Sequence, residues 1–86
     1  MFYTYILYSQ SADRFYVGSC QDLNTRLLRH NSSAVPSTKA FAPWKIVYYE
    51  TFENRADAIK REREIKSKKS RKYIHRLVEL ADTSRL

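Results

Sequence analysis

Only one of the 86 residues is glycine, and it lies at position 18 inside a run of strand-forming residues. A chain that keeps Gly out of its turns and spends it in Arg14 to Ser19 (RFYVGS) has a use for the missing side chain. Interior strand glycine weakens a strand, and it marks either a bulge or a place where another group comes close. Alternation puts Tyr16 and Cys20 on the face of Gly18. Just upstream, Phe2 to Tyr8 is almost entirely β-branched, aromatic or aliphatic and reads as a buried strand, with Tyr3, Tyr5 and Leu7 on one face. With Ser9 to Asp13 as the turn, the two runs form a hairpin that sets tyrosines beside a gap.

The remaining elements follow from caps and periodicity. Asp22 is an N-cap for a helix running to about His30 or Asn31, with Leu23, Leu27 and Leu28 as its core stripe. Asn31 to Pro43, rich in Ser, Ala and Pro, is the one linker-like stretch. Trp44 to Phe52 reads as a third strand, and Asn54 caps a helix from Arg55 to about Lys66. Ser70 opens a third helix, in which Tyr73, Ile74, Leu77, Val78 and Ala81 follow core spacing. The order ββαβαα predicts an α+β fold, a small sheet whose faces are covered by the apolar stripes of the helices. At 86 residues the chain makes one domain, residues 1–86, and such a chain buries only about 60% of its unfolded surface.

The formal net charge of +7 has an address. Lys60, Arg61, Arg63, Lys66, Lys68, Lys69, Arg71, Lys72 and Arg76 stand against only Glu62 and Glu64, so this stretch carries all of it while the rest of the chain balances. Such a density favours a polyanion, nucleic acid or an acidic membrane surface, over a solvated helix face. Cys20 is the lone cysteine, which excludes an intrachain disulfide and a multi-cysteine zinc site and suits a reducing compartment; it reads as a packing residue. The apolar N-terminus is too short for a membrane span or a signal peptide, so the expected location is the cytoplasm.

Three groups could carry chemistry. Arg26 and His30, four apart, would stand side by side on their helix, a guanidinium for phosphate oxygens next to an imidazole that exchanges protons near neutral pH. The tyrosines beside Gly18 form a second group. On the next helix, counting about 100° per residue, Glu62 falls within the apolar stripe of Ala58, Ile59 and Ile65 while Glu64 points away. An inward carboxylate needs a cation, either an inward arginine or a metal ion. One carboxylate plus waters suits Mg2+ rather than Zn2+.

Taken together, these residues resemble the GIY-YIG nuclease superfamily, specifically its small stand-alone bacterial members, which are similar to the N-terminal nuclease domain of the excision-repair excinuclease. Tyr16-Val17-Gly18 is similar to the second signature tripeptide, and Tyr3-Thr4-Tyr5 stands in the place of the first. Gly18-Ser19, Asp22-Leu23, Arg26-Leu27 and His30-Asn31 match the run that follows, and Pro43-Trp44, Ala58, Arg61-Glu62 and Ile65-Lys66 complete the pattern. The resemblance implies a three-stranded antiparallel sheet flanked by helices and divalent-metal-dependent hydrolysis of DNA phosphodiesters with Mg2+ or Mn2+. It implies catalytic roles for Tyr5, Tyr16, Arg26 and His30, a metal-ligand role for Glu62, and a structural one for Gly18. Tyr16, Tyr5 and His30 remain rival general bases. Two positions depart from the pattern. Tyr3-Thr4 replaces Gly-Ile of the first signature, and Ser19 stands where excision-repair relatives carry Lys.

The primary expectation is therefore a metal-dependent endonuclease of DNA repair or recombination. It would need no small-molecule cofactor or membrane, and it would load DNA across Lys60, Arg63, Lys66, Lys68, Lys69, Arg71 and Lys72. The alternatives are a nucleic-acid-binding module of the same fold without turnover, and a structural protein docking its basic helix on acidic protein or RNA.

Overall fold

A computed structural model describes residues 1–32 and 35–84, with side chains to Ala81. Strands β1 (Phe2–Ser9), β2 (Arg14–Cys20) and β3 (Lys45–Phe52) form one antiparallel sheet in the order β2-β1-β3. Helices α1 (Leu23–Asn31), α2 (Arg55–Ser67) and α3 (Arg71–Ser84) follow the expected order. A short 3₁₀ turn, Lys39–Phe41, lies within the linker-like stretch, of which residues 33 and 34 are outside the described residues.

The caps are the predicted ones. Asp22 Oδ1 accepts from the Thr25 amide at 3.1 Å, Asn54 Oδ1 from the Asp57 amide at 2.9 Å, and Ser70 Oγ from the Tyr73 amide at 3.1 Å. Each satisfies one of the orphan donors of a first helical turn. With Gly absent from the turns, Asp13 (φ 52°) and Lys69 (φ 48°) take the left-handed positions that precede β2 and follow α2. Arg71 bonds both the Asp13 carbonyl, at 3.0 Å, and its carboxylate, which ties the start of α3 to the hairpin turn.

The central strand β1 divides the core in two. On one face Tyr5, Leu7, Cys20 and Trp44 are buried under Leu23 and Leu27 of α1. On the other, Ile6 and Val17 pack with Ile65 of α2 and Leu77 of α3. Cys20 is a core residue, as expected, and burial pushes its thiol pKa up.

Two helix phases differ from expectation. Leu28 is 69% exposed, and His30 is buried instead, so α1 turns Leu23, Leu27 and His30 inward in an i, i+4, i+7 series. On α2 the buried residues are Ala58 and Ile65, with Ile59 only partly covered. The stripe is therefore centred about 50° from Glu62 rather than on it.

Candidate active site

Gly18 stands opposite Tyr5 in an unbroken β1–β2 register, which excludes the bulge and leaves close approach as the reason for the glycine. The group that approaches is the Tyr5 phenol. A Cβ on residue 18 would lie 2.5 Å from Tyr5 Oη and 2.7 Å from its Cζ. The missing side chain lets the Tyr5 ring fold across β2 and deliver its hydroxyl to His30 Nε2 at 3.0 Å.

His30 is held from its other side by Thr38, with 2.8 Å between Nδ1 and Oγ1. Thr38 Oγ1 also lies 3.3 Å from the Val35 carbonyl, so its hydroxyl has both the carbonyl and the imidazole as partners. Both ring nitrogens of His30 are thus occupied, Nε2 by Tyr5 and Nδ1 by Thr38, in one buried hydrogen-bonded chain. Trp44 Nε1 donates to the Thr38 carbonyl at 2.9 Å, and the Asn31 side chain clamps both the amide and the carbonyl of Trp44, at 2.6 and 3.1 Å. Every member of the Tyr5, His30, Thr38 chain is 1% exposed.

Burial also sets the charge states of this chain. Burial lowers the His30 pKa, helped by the charges of Arg26 and Arg29, so the imidazole is neutral. Burial likewise raises the Tyr5 phenol above the usual range, with Tyr16 adding to the rise and Arg26 opposing it. Tyr5 is therefore a hydrogen-bond donor and a poor base. Tyr16 packs its ring 4.8 Å from that of His30 and 6.4 Å from those of Tyr5 and Trp44, and it stays partly exposed.

Glu62 lies on the flank of α2 and not on its core stripe, which corrects the inward placement read from periodicity. Its carboxylate, 19% exposed, accepts from Ser19 Oγ at 2.7 Å and pairs with Lys66 Nζ at 2.6 Å. The partner cation is thus a lysine one turn along the same helix and not an inward arginine. Arg61 turns to the other flank, where it pairs with Glu50 and Glu64. Lys66 Nζ also lies 5.9 Å from the Tyr16 ring centroid, which links Glu62 to the tyrosines around the free edge of β2.

The structure thus brings Tyr5, Tyr16 and His30 into contact beside Gly18, with Arg26 near enough to act on Tyr5, Cys20 and His30, and joins Glu62 to them through Lys66. His30 is buried and not on the helix surface beside Arg26. Of the basic run, Lys66, Lys69 and Arg71 meet in one groove with Arg14, whereas Lys60 and Arg63 on α2, Lys68 at its C-cap and Lys72 on α3 are exposed elsewhere. Thr38 is the residue that sequence reasoning passed over. Its one sequence signal is a threonine standing eight residues after His30 in a stretch that reads as linker.

A hard, hydrated cation fits the Glu62 corner. The carboxylate is at the surface, its Oε2 already attracts a cation in Lys66, and an exposed i, i+4 pair of that kind contributes only about 0.3–0.5 kcal/mol, little to displace. Among the described residues no group of three His, Cys, Asp or Glu side chains comes together, so a zinc-type cage does not fit.

The model of the GIY-YIG catalytic domain matches residues 1–74. The chain belongs to the GIY-YIG family. It is similar to a UPF0213 protein of Staphylococcus epidermidis, 40% identical over 53 residues, which are 60% of this chain and 65% of that one. A UPF0213 protein of Staphylococcus saprophyticus is 35% identical over 66 residues, covering 76% of this chain and 79% of its own. The solution structure of a UPF0213 protein from Bacillus halodurans superposes with a TM-score of 0.57 at 29% identity, over 93% of this chain and 85% of that one. The Bacillus halodurans protein shares the small α+β fold of this GIY-YIG chain. GIY-YIG nucleases act on DNA and generally use divalent metal ions. No helix among the described residues is long and apolar enough to cross a membrane.

Proposed function

We propose that this chain is a single-domain, divalent-metal-dependent DNA endonuclease, working on cytoplasmic DNA in repair or recombination. The observation that carries the reading is the buried Tyr5–His30–Thr38 chain under a partly exposed Tyr16, with a surface carboxylate one lysine away. Three buried polar groups held in one hydrogen-bonded chain at the rim of a core are hard to explain as packing, since an apolar trio would serve the core better.

Tyr16 is the phenol that meets water and phosphate, because Tyr5 and His30 are sealed beneath it. In the reaction a water oxygen forms a bond to phosphorus while the bond from phosphorus to the 3′ oxygen breaks. Tyr16 first passes its phenol proton to solvent, its oxygen then takes the proton of the attacking water, and the leaving 3′ oxygen takes one from solvent. Arg26 holds a phosphate oxygen and carries the charge that grows in the transition state. Tyr5 donates to His30 and fixes the floor on which Tyr16 rests. Glu62 is the residue that would hold Mg2+ or Mn2+, with waters completing the shell, and the ion supplies Lewis-acid stabilisation of the phosphate and the leaving oxygen.

Incubation of the purified chain with branched, nicked and plain duplex DNA, with and without Mg2+ or Mn2+, tests this. New ends form only with metal, and Tyr16→Phe, Arg26→Ala and Glu62→Ala each abolish them. Full activity in Glu62→Ala ends the metal assignment, and binding without cleavage on every substrate ends the nuclease reading in favour of a binding module.

A further inference from the structure

The strand order leaves the outer edge of β2 free, and along it runs a groove of about 500 Å3 between β2 and the α2–α3 corner. Its walls include Arg14, Tyr16, Lys66, Lys69 and Arg71, and none of the residues lining it is acidic. Arg71 is already engaged with Asp13 just outside the groove and lies 5.0 Å from the Phe15 ring, so it braces the wall. The cations without an ion pair or with a weak one are Arg14, whose guanidinium lies over the Phe41 ring at 4.5 Å with its N–H edge still able to meet a phosphate, Lys69, and Lys66, held only by the weak pair with Glu62. Tyr16 lines the groove and is at the same time the partly exposed member of the candidate active site.

Helix geometry divides the basic run that sequence treats as one surface. Taking buried Ile65 as the inward direction, Lys66 lies about 100° round α2 on the β2 side, while Arg63 and Lys60 lie at about 160° and 220°, on the back of the helix. Lys69 is carried to the groove by its own left-handed backbone just past the end of α2.

We propose that this groove is the track for the DNA backbone flanking the cleaved bond, held by Arg14, Lys66 and Lys69, and that Lys60 and Arg63 make no phosphate contact. The proposal rests on the nuclease reading. It adds Arg14, 46 residues before the start of the basic run, as a DNA contact. Lys66 then has two alternative anions, Glu62 in the free protein and a backbone phosphate in the complex.

The test is binding of a short fluorescent duplex in EDTA, which prevents cleavage, followed by anisotropy across a KCl titration. Each lost phosphate contact makes the slope of log affinity against log salt shallower by about 0.9. Arg14→Gln/Lys69→Asn is expected to lose about 1.8 in slope, Asn being chosen because it tolerates the left-handed backbone at 69. Lys60→Gln/Arg63→Gln removes the same charge and is expected to leave the slope unchanged. All four side chains lie at the surface, and wild-type melting temperatures confirm folding; Lys69→Asn alone, with about 0.9 in slope, serves if the double variant melts early. Equal losses in the two double variants would show that net charge alone matters and overturn the groove. Wild-type binding that survives Arg14→Gln/Lys69→Asn intact overturns the groove but not the nuclease reading, and a wild type that binds no DNA overturns both.

Discussion

Replacing Gly18 by Ala sets two effects of opposite sign against each other. Gly18 has an ordinary extended backbone, so on backbone entropy alone an alanine should stabilise the strand by about 0.5–1 kcal/mol. The added Cβ, however, would stand 2.5 Å from Tyr5 Oη, 2.7 Å from Tyr5 Cζ and 3.1 Å from Tyr16 Cε1. Comfortable carbon contacts are about 3.5–4.0 Å, so the Tyr5 ring must move by about 1 Å. It has nowhere to go, being 1% exposed on the central strand with its hydroxyl on His30. Overpacking of this kind costs about 1–3 kcal/mol, and weakening the Tyr5–His30 bond adds about 0.5–1.5 kcal/mol. The contact therefore wins by about 0.5–4 kcal/mol, which for a chain of this size lowers the melting temperature by roughly 2–30 °C. Thermal and urea unfolding followed by circular dichroism measure it. In the background of Tyr5→Phe, which removes the nearest atom, Gly18→Ala should cost less, with a coupling of about 0.5 kcal/mol or more. A Gly18→Ala protein that melts at or above the wild type would refute the account of why the glycine is there.

The other predictions concern the proton arrangement beneath Tyr16. Thr38→Val removes the hydrogen-bond partner of His30 Nδ1 at constant shape, so the 15N signals of the imidazole should shift and turnover should fall without a change in KM, while Thr38→Ser keeps both. An unchanged 15N pattern in Thr38→Val would remove Thr38 from the network. Stability should also depend on pH with a definite sign. The folded His30 pKa lies below the ordinary 6.5, so the unfolded chain binds more protons in between; stability is complete above pH 6.5 and is lost as pH falls below it. Asp13, the lowered carboxyl, keeps its full contribution until pH falls below its ordinary 3.8, so it does not change between pH 6.5 and 5, and a melting temperature that rises as pH falls through that window would contradict a buried neutral imidazole.

Much of the scaffold was legible because its signals are local. Asp22, Asn54 and Ser70 cap within three residues of themselves, and the β-branched and aromatic runs mark β1, β2 and β3 to within a residue or so. The GIY-YIG pattern was legible for the same reason, as ordered residues at fixed spacings, and the family match over residues 1–74 bears it out. Helix phase was not. A nine-residue helix with leucines at 23, 27 and 28 has two nearly equal faces, and what tips it is a hydrogen-bond partner for His30 that arrives from the loop after it. Likewise Glu62 looked inward only because Ile59 was counted as core, whereas the sheet accepts Ala58 and Ile65 and leaves Glu62 to Ser19 and Lys66.

The division has a physical origin. Sequence alone determined the elements, their order, the lone glycine's place in a strand and the concentration of charge near the C-terminal helices, because each depends on neighbours within a turn or a pleat. Only the tertiary structure decided which atom fills the space over Gly18, which groups the two nitrogens of His30 meet, and which of the many lysines and arginines share a groove. Those depend on the strand order and on the rotation of each helix against the sheet, and both are set by packing between residues tens of positions apart.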